Sequence, residues 1–250
     1  MNARSYTLKS RAAASQRTRD RILTAARQIL GSDEGVAVFS VDAVARAAGV
    51  TRVTVYNQFS SRRGLVEALS DDLAARAEIG ARLGAAFESP DALAALDRLI
   101  AAFAHFWTAD RVIIRRLHGI AALDPEIARS DADRNERRRI ALTVMLRRLW
   151  QERGIPAEDQ IAPVVALLHM LTGFEAMDQL AGPDRTPVDI VPIIRRLARE
   201  ALGIGGGADA DAPVLVGTPP VATSAHPIMP SALPVMSSDV ETSPPSDPLP

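Results

Sequence analysis

The stretch GVTRVTVYNQFSSRRGL, residues 49–65, sets Thr51, Arg52, Thr54, Tyr56, Asn57, Gln58, Arg62 and Arg63 close together, with only Val55 and Phe59 to anchor them. Hydroxyl, phenol, amide and guanidinium groups give and take hydrogen bonds and carry charge. A helix face this polar is either solvated or grips a polar partner. Chemistry of other kinds is poorly provided for. The chain has four His and no Cys. It has no HExxH, no GxSxG and no Gly-rich loop between a strand and a helix. No catalytic residue, metal ligand or cofactor is therefore expected. The acidic pairs Asp71–Asp72 and Asp131/Asp133 sit where solvation explains them.

Charge separates the chain into parts. Residues 1–65 carry eleven Lys and Arg against four Asp and Glu, a net of +7. Residues 66–202 carry eighteen against twenty-one, and the last 48 residues carry five acids and no base. A basic head on a nearly neutral body points to a polyanion partner for the head alone. The high Arg content follows the Ala-rich bias of the whole chain.

The elements that must position the polar stretch are helical. At 47% hydrophobic with 4% aromatic residues, the composition favours helices packed on helices. Ile22, Ala25, Ala26, Ile29 and Leu30 fall on one helical face. Ser40 suits an N-cap, followed by Val41, Val44, Ala45 and Ala48 on one side of a short helix that Gly49 ends. Thr51 caps a third helix, and Ser60 or Ser61 a fourth that is expected to run over 61–83. Further helices are predicted at 91–107, 110–119, 125–152, 157–181 and 187–202, the last capped by Thr186 and opened by Pro187. Pro163 predicts a late start or a kink in the 157–181 helix. Residues 1–16 are expected to form an unstructured basic arm. Residues 203–250 hold ten of the seventeen Pro and little apolar surface, so they are expected to be a disordered tail.

Three short helices joined by AAGVTR make a helix-turn-helix, in which the second helix of the pair meets base edges in the major groove. Gly49 supplies the sharp turn, Val50 the apolar plug between helices. Here the sequence resembles the tetracycline-repressor (TetR) family of bacterial regulators. The resemblance rests on FSVDAVARAAGVTRVTVYNQFSSRRGLVEAL, residues 39–69, in which Thr54, Val55, Tyr56 and Phe59 match the family pattern directly. Ser40 and Thr51 replace a Thr and a Ser, and Arg62 stands where Lys is common. The helices beyond residue 90 match in number and order alone.

The resemblance implies that Ser40, Thr54, Tyr56 and Arg62 contact phosphates. It implies that Arg52, Val53 and Asn57, with Thr51 and Gln58, face bases. The residue types agree with base reading, since Arg pairs with G, Asn or Gln with A, and an apolar group meets a thymine methyl. Gln58 stands where the family has His or Tyr, which leaves its role open. Ser40 and Thr51 are equally suited to capping alone, and Tyr56 to packing. Arg17, Arg19 and Arg63 are candidates for further backbone contacts.

The expected architecture is all-α: residues 17–65 a helix-turn-helix DNA-binding domain, residues 66–202 an effector-binding and dimerisation domain. A single helix-turn-helix binds modestly, so a homodimer is expected through residues 157–202, reading a palindromic operator in double-stranded DNA. Phe103, Trp107, His118, Met145, His169, Phe174 and Met177, with Phe106, Trp150 and Met170 beside them, are candidates to line a small-molecule effector pocket, although each also suits a core. The function expected is a repressor released by a small, largely apolar effector. An activator or ligand-independent regulator, or a sequence-neutral DNA-binding protein, is the alternative. No run approaches 18 apolar residues and no apolar stretch follows the basic N-terminus, so a cytoplasmic protein without membrane contact is expected.

Overall fold

The computed structural model describes residues 3–154 and 158–204. The expected tail lies, from residue 205 on, outside the described residues. Every regular element described is an α-helix.

The head is built from α1 (Ala3–Gly31), α2 (Gly35–Val38), α3 (Val41–Ala47), α4 (Arg52–Phe59) and the start of α5 (Arg62–Arg76). Ile22, Ala25, Ala26 and Leu30 of α1 are buried against Val44, Ala45, Val55, Phe59 and Leu65, and Phe39 closes that core. Helices α3, α4 and α5 each start on a side-chain cap. Ser40 Oγ accepts from the Ala43 N–H at 3.2 Å, Thr51 Oγ1 from Thr54 at 3.1 Å and Ser61 Oγ from Gly64 at 2.9 Å. Such caps occupy N–H groups that have no partner within the helix, at about 1 kcal/mol each. Gly49 takes φ +65°, the left-handed turn that ends α3, and the Val50 N–H reaches back to the Ala45 carbonyl at 2.9 Å. Gly64 is required for a different reason. A Cβ there would lie 2.0 Å from the Phe59 carbonyl oxygen, so the first turn of α5 can approach the end of α4 only without a side chain.

The body comprises α6 (Ile79–Phe87), α7 (Ala92–Ala109), α8 (Arg111–Leu123), α9 (Pro125–Arg153), α10 (Glu158–Leu171), α11 (Phe174–Ala181) and α12 (Val191–Ala201). Its core is formed by Leu96, Leu99, Ile100, Leu142, Met145, Leu146, Leu168 and Ile194. Asp124 caps α9, accepting from the N–H groups of Glu126 and Ile127, with Pro125 at the first helical position. Polar contacts tie α1 and α5 to each other and to the body. Arg27 pairs with Asp72 at 2.6 Å, and Arg116 of α8 donates to the carbonyls of Leu30 and Ser32 at the end of α1. Arg134 of α9 donates to the Glu67 carbonyl and to Asp71.

Four expectations are corrected. The N-terminal segment is helical from Ala3 and runs straight into α1, so there is no unstructured arm over residues 3–16. The 61–83 helix is two helices: the chain turns at Glu78, φ +54°, and α6 lies along α7. The 157–181 helix is also two, bent by 52° between Leu171 and Phe174. The Thr172 carbonyl, which a continuous helix would bond to a later N–H, instead accepts from Trp107 Nε1 at 2.9 Å and Arg138 Nη1 at 3.3 Å. The last helix begins at Val191, with Pro192 rather than Pro187 in its first turn. Thr186 donates both its N–H and its hydroxyl to Asp189, closing a turn ahead of the helix. Among the described residues no single helix is long and apolar enough to cross a membrane.

Candidate functional site

The outer face of α4 is the first candidate. Arg52, Val53 and Asn57 are all exposed, Val53 at 66%. Val55 and Phe59 point inward and fix the helix. Thr54 carries a second link to the cap, its hydroxyl 2.9 Å from that of Thr51. Arg52 is held between neighbours: Nη1 donates to Asp42 at 3.0 Å and Nη2 to the Tyr56 hydroxyl at 3.1 Å. The Tyr56 hydrogen bond, with the Asp42 charge, raises the Arg52 pKa further above its ordinary value. Thus Arg52 is oriented along the helix rather than free to sweep.

The flanking cations are paired as well. Arg63 donates to Glu67 at 2.7 Å. Arg62 pairs with Asp124, and because Asp124 also caps α9, one carboxylate joins the first turn of α5 to the first turn of α9. Gln58 faces elsewhere. Its amide donates to Ser15 Oγ at 3.0 Å, while Arg19 donates to the Gln58 carbonyl and stacks over the Phe59 ring at 4.4 Å. These contacts moor α4 to α1, so Gln58 is turned away from the face that carries Arg52, Val53 and Asn57.

The second candidate is a cavity of about 300 Å³ between α5, α6, α7, α8 and α9. Its apolar wall includes Leu73, Ile79, Leu83, Phe103, Phe106, Trp107, Ile114 and Leu117. Its polar groups are Ser70, His118, Asp131, Arg134, Asn135, Arg137 and Arg138. This balance suits a small, mostly apolar molecule oriented by a few polar atoms. Phe103 and Trp107 stack with centroids 6.3 Å apart, and Phe106 lies 4.5 Å from Trp107. His118 contacts Glu175 through Nδ1 and lies 3.8 Å from Asp131 through Nε2. Burial opposes charge on the ring, but the Glu175 hydrogen bond and the Asp131 and Glu175 charges outweigh it and hold the His118 pKa above its ordinary value.

The comparisons with known proteins bear on both sites. Residues 22–69 match the family model described as bacterial regulatory proteins, tetR family. The match identifies residues 22–69 as a DNA-binding domain of the tetR type. A curated relative, the HTH-type transcriptional regulator AlkX of Mycobacterium tuberculosis, is 37% identical over 115 residues, 42% of this chain and 50% of that protein. The chain thus spans about half the length of the curated relative it matches. In fold, the chain is similar to the TetR-family regulator PfmR of Thermus thermophilus, with TM-score 0.54 and 24% identity over 71% of this chain and 96% of that one. It is similar also to a TetR transcription regulator from Haloarcula marismortui, with TM-score 0.58 and 17% identity over 74% and 96% of the two chains.

The expected residues divide. Ser40, Thr51, Arg52, Val53, Thr54, Tyr56, Asn57, Arg62 and Arg63 are gathered around α3, α4 and the start of α5, with Ser40 and Thr51 also serving as caps. Of the pocket candidates, Phe103, Trp107 and His118 line the cavity. Four do not. Met145 and Met177 are core residues at 1% and 0% exposure. Phe174 stands behind the wall, its ring 5.7 Å from Trp107 and 5.0 Å from His118. His169 lies beyond Arg138, its Nε2 3.1 Å from that guanidinium. Its burial, together with the Arg138 charge, lowers its pKa. The sequence reading missed Asp42 and Arg138, and of Asp124 it saw the cap but not the ion pair with Arg62. Their partners are distant in sequence or one helix away, and no local spacing marks them.

Proposed function

We propose that the protein is a sequence-specific DNA-binding transcriptional regulator, acting as a homodimeric repressor that a small, largely apolar effector releases from a palindromic operator. The observation that carries this reading is the outer face of α4. A valine held 66% in solvent, between an oriented arginine and an exposed asparagine, has little use in a solvated helix. The face has the residue types that meet a thymine methyl, a guanine and an adenine in the major groove. Ser40, Thr51, Thr54, Tyr56, Arg62 and Arg63 surround it as phosphate contacts that set register. The relative named as a transcriptional regulator of the helix-turn-helix type supports the same assignment.

Dimerisation through α10 to α12 is supported by apolar side chains left in solvent there: Leu167 at 36%, Met170 at 57% and Leu180 at 38%. Two heads related by a two-fold axis would read half-sites about 34–36 Å apart or a multiple of that. The cavity is the effector site in this reading, and it shares α5 and α9 with the Arg62–Asp124 link to the head. An effector that favours a DNA-incompetent arrangement weakens operator binding by no more than its differential affinity for the two arrangements.

The test is selection of bound sequences from a random DNA pool at two salt concentrations. A palindrome recovered at both supports a dimeric reader. Recovery of sequence-neutral, salt-sensitive DNA alone would mean that the head grips only phosphates, and the reading would fail.

A further inference from the structure

The cavity wall contains a charge that the fold leaves without a counter-ion. Arg138 of α9 is 8% exposed. Its Nη1 donates to the Thr172 carbonyl at 3.3 Å, and its Nη2 lies 3.1 Å from His169 Nε2. The same His169 nitrogen is 3.0 Å from the Asn135 carbonyl. One ring nitrogen cannot accept from Arg138 and donate to Asn135 at once, so the second guanidinium contact competes with another bond. Arg138 Nε has no hydrogen-bond partner among the described residues.

No carboxylate among the described residues forms an ion pair with Arg138. The two acids that act on it through space, Glu175 and Asp131, are both turned to His118. What Arg138 has instead are ring faces, Phe103 at 5.8 Å and Trp107 at 5.9 Å. Desolvation lowers its pKa to about 10, opposed only in part by those distant acids. Buried guanidinium groups are ordinarily paired, because removing a cation from water is costly. The other two arginines of the wall differ. Arg134 is paired with Asp71, and Arg137 is exposed.

We infer that Arg138 anchors a carboxylate, and that the effector is a small monocarboxylate with an apolar body. The inference rests on the cavity being the effector site. The carboxylate meets the guanidinium, and the body lies against Phe103, Trp107, Leu73, Ile114 and Leu117. A volume of about 300 Å³ holds about ten heavy atoms at ~30 Å³ each, the size of an eight-carbon acid. A cationic ligand would meet the charge of Arg138, while the acid of the wall, Asp131, is already turned to His118. A phosphate dianion would need a second buried cation, and the buried wall offers one.

The experiment is calorimetric titration of the full chain with octanoate, 1-octanol and octylamine, which share a chain and differ in head charge. The expected result is octanoate binding at least about tenfold tighter than octanol, with octylamine weakest. R138Q should bring octanoate down to the level of octanol while octanol binding persists, with circular dichroism confirming a folded variant. Octanol equal to or tighter than octanoate, or octylamine tightest, would overturn the carboxylate assignment and leave the cavity reading standing. A folded R138Q that keeps the octanoate preference would overturn the role of Arg138. Absence of binding by all three, with no shift in melting temperature, would overturn the cavity reading itself. Should R138Q fail to fold, the series on the unmodified chain still decides the charge preference.

Discussion

Arg62, in the first turn of α5, is ion-paired with Asp124, whose other oxygen caps α9. Under the proposed function, the cation meant for a DNA phosphate is therefore already engaged by the body. On that proposal, DNA binding would have Arg62 exchange one anion for another, and the pair would be a point of competition between operator and body.

Arg62→Ala should weaken binding to all DNA and lower the salt dependence by about one counter-ion. Asp124→Asn should act in the opposite sense. Asn retains the N-cap, so α9 is preserved, while Arg62 loses its competitor. Tighter DNA binding by roughly two- to fivefold is expected for a pair this exposed. Fluorescence anisotropy titrations at several salt concentrations check both. Weaker binding by a folded Asp124→Asn would show that the pair holds Arg62 in place for DNA rather than away from it.

Tyr56→Phe and Asn57→Ala should separate grip from reading. Tyr56→Phe removes a hydroxyl that also orients Arg52, so all DNA should bind more weakly. Asn57→Ala should relax preference at one base position, at about 1–3 kcal/mol of discrimination. Repeating the sequence selection on each variant measures this. An Asn57→Ala preference identical to that of the parent would remove Asn57 from the reading set.

Gly64→Ala should destabilise the head by about 1–3 kcal/mol, because the added Cβ meets the Phe59 carbonyl, a backbone atom that cannot swing aside. Thermal melts of the full chain give the result. A melting temperature equal to that of the parent would mean that the α4–α5 corner can open freely.

The His118–Glu175 contact should leave a signature in pH. The His118 pKa is raised, so its contribution is full below about 6.5 and is lost as pH rises through the raised value. The Glu175 pKa is lowered, chiefly by the hydrogen bond from His118, so its contribution is present above 4.5 and lost as pH falls through the lowered value. Stability from the pair should fall as pH rises above about 6.5, the ordinary His value. Glu175→Gln should flatten that fall. Melting temperatures across this range test it, and parallel curves for the two proteins would show that the pair contributes nothing.

Met170→Glu should give a monomer by light scattering and cost operator binding through loss of the second half-site. A variant that remains dimeric would move the interface off α10.

The sequence was most legible where local rules decide. Ser40, Thr51, Ser61 and Asp124 cap helices because their side chains reach N–H groups two or three residues on, and those offsets are visible in a string of letters. Gly49 was legible for the same reason. The break at Thr172 was not, because tertiary partners take its carbonyl: Trp107 and Arg138, from two other helices. The cavity was half legible. Phe103 and Met145 are equally apolar and both lie on helical faces, yet only Phe103 reaches the cavity, because α9 turns Met145 into the core. The contact of Gln58 was not legible, because its partner, Ser15, lay in a segment expected to have no structure.

Arg116 closes the end of α1 from α8, donating to the carbonyls of Leu30 and Ser32. A head excised after residue 65 would surrender those carbonyls to water, and its longest helix would fray where α2 begins. Amide exchange at the end of α1 should then report the folding of the body, and not of the head alone. For anyone building chimeras, this head is not a cassette. A foreign domain grafted behind it must supply a guanidinium at the place of Arg116, or the head will arrive with one end undone.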